Sequence, residues 1–110
     1  MAEAIPKESI VLRRFVDAVR ALRPRIRQIV LFGSRARGDE LPWSDYDILV
    51  LVDRRDQTLV DQIYDIVVEI QADTGCDLSL KIIAEPEWER RQQRNSSFAA
   101  NVLREGIVLG

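Results

Sequence analysis

The chain is organised around residues 32–47, which have the sequence Phe-Gly-Ser-Arg-Ala-Arg-Gly-Asp-Glu-Leu-Pro-Trp-Ser-Asp-Tyr-Asp. Gly33 and Ser34 end one apolar run, and ten residues separate them from Asp45 and Asp47, which open the next one. A small-residue turn suits an anionic ligand, and a carboxylate pair suits a hard cation. A fold that joins these two halves would therefore create one binding site.

Strands are predicted on both flanks of this stretch. Residues 26–32 end in a continuous apolar run, 29–32, which is typical of a strand buried on both faces. Residues 45–52 are the second predicted strand, with 48–52 as its apolar body. Between the strands, Gly33 permits a sharp turn, Ser34 is expected to cap a short helix through Arg37, and residues 38–44 form a loop.

Further from the centre, periodic apolar residues predict helices. Residues 7–23 and 58–72 each repeat apolar side chains at three- and four-residue spacing, and they end before Pro24 and Gly75. Residues 77–83 alternate as a third strand. Pro86 suits the first turn of another helix with Trp88 turned inward, and residues 98–104 and 107–109 suggest a last helix and an edge strand. This order favours an α/β or α+β sheet covered by helices, with the strand order left open.

Composition limits the possible functions. The 110 residues are expected to form a single domain, 1–110, and the hydrophobic fraction of 46% is that of a globular protein. Residues 1–37 hold nine Lys/Arg and three Asp/Glu, whereas residues 38–80 hold two and eleven. The overall net charge of −2 argues against direct binding of duplex DNA.

The residue types that the sequence lacks exclude several kinds of functional site. Cys76 is the only cysteine and the sequence has no histidine, which excludes an internal disulfide, a multi-cysteine zinc site and a histidine-based triad. The first residues lack the apolar segment of a signal peptide, and no apolar run approaches the length of a membrane span. The expected compartment is the cytoplasm.

The carboxylates are the first candidate site. Asp45 and Asp47 lie two apart in a predicted strand, so they project from one face about 6.6 Å apart, at about 3.3 Å per residue. Two carboxylates this close raise each other's pKa unless a cation compensates, and Mg²⁺ is the natural cation. A third acid on the next strand would allow two metal ions. Asp77 is the main candidate, and Asp73 is a weaker one.

The Gly-Ser turn is the second candidate site. A strand that ends in Gly33-Ser34 and begins a helix presents free backbone N–H groups and a hydroxyl to an anion. Arg35 and Arg37 add two charges suited to phosphate. A nucleoside triphosphate would fit between this turn and metal ions on the acids.

Each feature also has an ordinary structural explanation. A Gly-Ser pair is commonly a turn and a helix cap, a D-x-D pair at a strand start is often solvated, and Arg35 and Arg37 could be surface charge. The combination favours a function over these explanations. Asp61, Asp65 and Glu69 differ, because they lie opposite the apolar face of their helix and indicate a solvated surface.

The spacing from Gly33-Ser34 to Asp45-x-Asp47 resembles the G-S-x10-D-x-D signature of the DNA polymerase β-like nucleotidyltransferase superfamily. The fuller string resembles the minimal nucleotidyltransferase (MNT) group, and residues 104–109 resemble the end of such proteins. The resemblance implies a nucleotidyltransferase fold with a small mixed β-sheet flanked by helices. It also implies that Gly33, Ser34, Arg35 and Arg37 bind the nucleotide, while Asp45, Asp47 and Asp77 bind metal and are catalytic. Asp77 is followed by Leu-Ser-Leu, a loose match to the family.

The resemblance implies a function as well. MNT proteins are often antitoxins of HEPN-domain toxins, so the expected reaction is Mg²⁺-dependent transfer of AMP from ATP to a tyrosine hydroxyl of such a partner, within a hetero-oligomer. A partner is expected to supply the acceptor, because the nucleotide and metal half occupies the whole domain. Two alternatives remain open. One is an antitoxin that acts by binding alone, and the other is a small-molecule transferase of the aminoglycoside type, completed by a homodimer.

Overall fold

The computed structural model describes residues 2–3 and 9–110 of the chain. The strands are β1 (Ala2–Glu3), β2 (Ile26–Phe32), β3 (Tyr46–Val52), β4 (Leu78–Ala84) and β5 (Ile107–Val108). The helices are α1 (Ile10–Val19), α2 (Ser34–Arg37), α3 (Gln57–Thr74), α4 (Glu85–Gln93) and α5 (Ser97–Glu105), with a 3-10 turn over Arg20–Leu22.

The strands form one mixed sheet in the order β1-β5-β2-β3-β4. Strand β3 pairs antiparallel with β2 and parallel with β4, while β5 pairs antiparallel with β2 and parallel with β1. The predicted class, a small mixed sheet flanked by helices, is confirmed. The prediction of an edge strand at residues 107–109 is wrong in one respect, because β1 pairs with the outer side of β5.

Helices cover both faces of the sheet, because alternate strand residues point to opposite sides. Ile48, Val50 and Val52 of β3 belong to a core with α1 and α3. Leu49 and Leu51 belong to a second core with α4 and α5. Strand β3 is therefore apolar on both faces. The same holds for β2, as its continuous apolar run predicts, because Ile29 and Leu31 belong to the first core and Val30 to the second.

The helix boundaries depend on capping residues. The Ser9 side chain accepts a hydrogen bond from the Leu12 N–H at 3.1 Å and begins α1, so the predicted start at residues 7–8 lies outside the described residues. Helix α3 is longer than the predicted 58–72 at both ends. Asp56 caps its first turn by accepting from the Leu59 N–H at 2.9 Å, and Gly75 ends it with a φ of 72°.

An aromatic cluster fastens the second helical layer. Trp88 is buried, as predicted, and packs edge-on against Phe98 with ring centroids 6.1 Å apart. Phe98 in turn packs edge-on against Phe32 at the end of β2, at 5.3 Å. Because Phe32 precedes Gly33 directly, this cluster attaches α4 and α5 next to the Gly-Ser turn. No helix within the described ranges 2–3 and 9–110 combines the length and hydropathy needed to cross a membrane.

Helix α3 should contribute to stability through one face only. Ile63 is fully buried, whereas Val68 on the same helix is 60% exposed. We expect Ile63→Ala to lower the free energy of unfolding in urea by about 2–5 kcal/mol, because it leaves a cavity. Val68→Ala should be neutral or slightly stabilising, since alanine has the higher helix propensity. Equal losses in the two variants would contradict the packing described.

Arg25 joins the start of β2 to the turn after β3. Its guanidinium pairs with Asp53 at 3.1 Å and with Asp56 at 2.7 Å, and it also donates to the Arg54 carbonyl at 2.8 Å. The hydrogen bond from Arg25, followed by that from the Leu59 N–H, lowers the pKa of Asp56 to about 2. These ion pairs therefore link the residues that begin α3 to the start of β2.

This contact gives stability a defined pH dependence. A carboxyl with a lowered pKa in the folded state stabilises above its unfolded pKa of about 3.9 and loses that contribution as pH falls toward the folded value. We expect Asp56→Asn to lower the Tm at neutral pH, because asparagine keeps the helix cap but loses the charge pair. The Tm difference from the parent chain should shrink as pH falls from about 4 toward 2. A Tm difference that does not change with pH would show that ionisation of Asp56 does not stabilise the fold and would contradict the prediction.

Candidate active site

The register of β2 and β3 brings the two halves of residues 32–47 together. Phe32 is paired with Asp47, so the Asp47 side chain lies against the backbone of Gly33. A Cβ added to Gly33 would lie 3.1 Å from Cγ of Asp47 and would overlap its Oδ2. Gly33 also has φ 76° and ψ −158°, a conformation almost restricted to glycine. Both constraints require glycine at this position.

The turn differs in detail from the sequence prediction. Gly33, not Ser34, is the cap of α2, because its carbonyl accepts from the N–H groups of Ala36 and Arg37, each at 3.1 Å. Ser34 is the first helical residue, so the prediction that its side chain caps the helix is wrong. The first N–H groups of any helix lack partners within it, and those of α2 start beside Asp47. With only four residues, α2 offers these donors and little macrodipole.

Asp45 and Asp47 lie at the start of β3 with different exposure. Asp45 is exposed just before the strand, and Asp47 is partly buried on the face that Leu49 shares with α4 and α5. The pKa of Asp47 is raised, first by burial and then by the charge of Asp45, while Arg37 and Lys81 oppose the rise. The pair therefore carries the charge repulsion that a cation would relieve.

Asp77 is placed beside this pair by the parallel register of β3 and β4. The Tyr46 N–H donates to the Asp77 carbonyl at 3.0 Å, and Asp47 pairs with Ser79. Asp77 therefore lies next to Asp45, just before β4, with an exposed side chain. Within residues 2–3 and 9–110, however, no three His, Cys, Asp or Glu side chains converge to hold a metal ion. The role of Asp77 stays a prediction.

The weaker candidate for the third acid is engaged elsewhere. Asp73 lies near the end of α3, where it pairs with Arg14 of α1 at 2.9 Å. Both helices pack on the opposite face of the sheet from Asp47. The predicted solvated acids of α3, Asp61, Asp65 and Glu69, are all exposed.

The two arginines of α2 have different surroundings. The guanidinium of Arg35 lies over the Tyr46 ring, 4.1 Å from its centroid, and Nε donates to the Ser44 carbonyl at 3.0 Å. Arg35 thus fastens the loop of residues 38–44 to the start of β3. Arg37 pairs with Asp39 at 3.1 Å and with Glu105 of α5 at 3.4 Å, and its charge reaches Asp47.

Helix α5 closes one side of the turn. A cavity of about 230 Å³ lies between α5 and the Gly-Ser turn. Its lining residues are Phe32, Gly33, Arg37, Phe98, Asn101, Val102 and Glu105. Asn101 and Glu105 could not be recognised as site residues from the sequence, because nothing in a helical pattern shows which strand end the helix will cover.

Lys81 is a third residue near the site that the sequence does not indicate. It pairs in register with Leu49, two residues beyond the Asp47–Ser79 pair, and so points to the same face as Asp47. Within the part of the chain that the structure describes, no carboxylate lies within ion-pair distance of Lys81. Its alternation with Ser79 is visible in the sequence, but the register that places it near Asp47 is not.

Comparison with known proteins identifies the family. The profile of the nucleotidyltransferase domain matches residues 12–104, most of the chain. The chain belongs to this family. A protein of Methanocaldococcus jannaschii, MJ0604, provisionally named a protein adenylyltransferase, is 37% identical over 103 residues, which are 93% of this chain and 97% of that protein. The chain is therefore a nucleotidyltransferase, as the G-S-x10-D-x-D spacing implies.

Solved structures confirm the nucleotidyltransferase fold. A toxin–antitoxin crystal structure with AMP-PNP matches with a TM-score of 0.58 at 20% identity, over 90% of this chain and 72% of that one. A complex of tri-AMPylated Shewanella oneidensis HEPN toxin with MNT antitoxin matches with a TM-score of 0.52 at 19% identity, over 92% and 70%. At these sequence identities, the similarity to this chain shows a shared fold and no more.

The contact between Gly33 and Asp47 can be tested with a matched glycine. Gly33→Ala introduces both backbone strain and an overlap with Asp47, so we expect unfolding in urea to become easier by about 3 kcal/mol. Gly75→Ala has a similar φ but no neighbour within 4 Å of the new Cβ, so it should cost only about 1–2 kcal/mol. Equal costs would show that the carboxylate does not press on the turn.

Proposed function

We propose that this nucleotidyltransferase moves AMP from ATP to a tyrosine hydroxyl of a HEPN-domain partner, with Mg²⁺ as cofactor, and so acts as an antitoxin. The observation that carries the proposal is the contact of Asp47 with Gly33, which unites the Gly-Ser turn and the carboxylate pair in one site. A turn of N–H donors beside two acids matches a triphosphate with its cation.

The donor set fits the proposed Mg²⁺. Asp45 and Asp47 are hard oxygen ligands on one strand, and Mg²⁺ commonly binds one or two carboxylates together with water and substrate phosphates. We propose that they hold the ion and that Asp77 joins them as the third ligand when the nucleotide is present. Bound Mg²⁺ supplies charge neutralisation at the phosphates.

The nucleotide is proposed to lie between the turn and α5. The first N–H groups of α2 and the hydroxyl of Ser34 would bind phosphate oxygens, and Arg37 at the cavity rim would add a charge. Asn101 lines the same cavity and offers an amide to the nucleoside. Arg35, which already holds the loop before Asp45, would reach phosphate only by leaving Tyr46.

In the proposed reaction the tyrosine oxygen forms a bond to the α-phosphorus of ATP. The bond from that phosphorus to the oxygen that bridges it to the β-phosphate breaks, and pyrophosphate leaves with the electron pair. Asp77, exposed beside Asp45, takes the hydroxyl proton. Positioning by the turn and the acids supplies most of the catalysis expected for phosphoryl transfer.

Two relatives support the acceptor class. The 37% identical protein is provisionally named an adenylyltransferase that acts on protein, and it matches this chain over nearly its whole length. One structure of the same fold is a complex with an AMPylated HEPN toxin. A partner that brings its own hydroxyl suits a site that opens at the end of a sheet.

The decisive experiment replaces both carboxylates of the pair. With ATP, Mg²⁺ and a HEPN-domain protein from the same genome, we expect the parent chain to add AMP masses to a partner tyrosine. Asp45→Asn/Asp47→Asn should reduce that rate by at least about 100-fold, because it removes the proposed metal ligands. Asp61→Asn/Asp65→Asn removes two exposed acids of α3 and should leave the rate unchanged.

The outcomes separate the proposal from its alternatives. No mass addition by the parent chain, combined with protection of cells by both double variants, would indicate an antitoxin that works by binding alone. Transfer of AMP to an aminoglycoside and not to protein would indicate the small-molecule activity. Undiminished transfer by Asp45→Asn/Asp47→Asn would exclude the proposed site.

A further inference from the structure

Strand β4 is the edge of the sheet on the side of the candidate active site, as far as the described residues extend. The Tyr46 N–H bonds to the Asp77 carbonyl, so the backbone groups of Ser79, Lys81 and Ile83 face β3. In a strand the alternate residues point their N–H and C=O groups the other way. Those of Leu80 and Ile82 therefore face outward from the sheet.

This edge is a groove with walls on both faces of the sheet. Two concave volumes, of about 450 and 370 Å³, lie along residues 80–84 of β4 and share Arg55, Ile82, Ile83 and Arg91. The first also includes Tyr64 of α3. Arg55 reaches the strand edge itself, because its Nε donates to the outward Ile82 carbonyl at 3.1 Å. One lone pair of this outward carbonyl is therefore used by Arg55, and the second remains for an added strand.

The groove has a positive rim. Arg55, Lys81, Arg90 and Arg91 line it, whereas Glu87 is the only acid among its lining residues in the described part of the chain. Glu87 is neutralised by Arg91 at 3.2 Å and by Arg90 at 2.9 Å, and these hydrogen bonds lower its pKa. The net charge of the whole chain is −2, so the positive rim is opposite in sign to the protein as a whole.

We propose that an extended, acidic segment of the acceptor protein adds to β4 as a further strand. The proposal deepens the function proposed above and rests on it. Added strands recognise an edge through main-chain hydrogen bonds and gain specificity from side-chain contacts. A second copy of this chain would bring an equally positive edge, and RNA lacks the main-chain N–H and C=O ladder, so charge and geometry favour an acidic polypeptide.

The position of the edge explains how the hydroxyl reaches the site. Ser79 and Lys81 point to the same face as Asp47, and β4 begins directly after Asp77. A strand added to β4 lies about 4.8 Å from it, so a tyrosine opposite Ser79 would stand on the same face as Asp47, two strands away. The docked segment thus presents its tyrosine without an acceptor lobe in this chain.

Amide hydrogen exchange tests the docking directly. The probe is a short peptide in which glutamates flank a single tyrosine, and its control has lysine in place of every glutamate. We expect the acidic peptide to slow exchange at the outward amides of Leu80 and Ile82. Exchange at the Ser79 and Lys81 amides, already bonded to β3, should stay unchanged. Protection at both sets, or at neither, would overturn the proposal.

A charge variant gives the second readout. Arg55→Gln/Arg91→Gln should weaken binding of the acidic peptide roughly three- to ten-fold, as expected for two rim charges. Arg13→Gln/Arg20→Gln removes two exposed arginines of the α1 region and should leave the affinity unchanged. Equal weakening in both variants would indicate attraction by net charge alone and would overturn the edge site.

The same samples distinguish failure of docking from failure of catalysis. Asp45→Asn/Asp47→Asn should bind the peptide and protect Leu80 and Ile82 like the parent chain, yet transfer no AMP. Edge protection without any AMP transfer by the parent chain would uphold docking and reject the proposed reaction. AMP transfer that Arg55→Gln/Arg91→Gln does not reduce, without protection of the Leu80 and Ile82 amides, would uphold the proposed reaction and reject docking. The acidic-strand proposal would also be rejected if an oligonucleotide, but not the peptide, competed with the partner protein for this chain. A dimer in sedimentation that buries β4 would reject it as well.

Discussion

The site depends on the antiparallel register of β2 and β3. This pairing places Asp47 opposite Phe32 and against Gly33, so one main-chain alignment fixes a carboxylate beside a helix start. A slip of one residue would send Asp47 to the opposite face, into the core with α1 and α3, and would expose Ile48 in its place. The apolar pattern of β3 and the chemistry of the site therefore require the same register. Packing of the core thus holds Asp47 beside Gly33.

Much of the fold could be predicted from the sequence, because its signals are local. The apolar runs before Gly33 and after Asp47 predicted the two central strands, and the three- and four-residue repeats predicted α1 and α3. The first and last residues of the helices were harder to predict, because a cap such as Asp56 starts a helix before the apolar periodicity shows it. The spacing between the Gly-Ser turn and the acid pair was enough to identify the family, since this arrangement is specific.

The parts that could not be predicted arise from pairing between distant residues. Strand order decides that β4 lies beside β3, and only then does Lys81 join the face of Asp47. The same holds for Asn101, which reaches the turn because α5 packs over Phe32 through Phe98. Arg35 shows a further limit, because a charge near a phosphate-type turn suggested a ligand role while its guanidinium stacks on Tyr46.

The sheet divides its apolar core unequally. Among residues 9–110, the α1 and α3 side contains twenty buried residues and the α4 and α5 side contains seven. Segments that bury less apolar surface separate from the rest of a protein at a lower free energy than the global unfolding cost. We therefore expect α4 and α5 to open at a lower free energy than α1 and α3. Asp47 stands on β3, whose Ile48, Val50 and Val52 belong to the larger core, so we expect the α5 wall of the site to adjust to ligands more readily than this carboxylate.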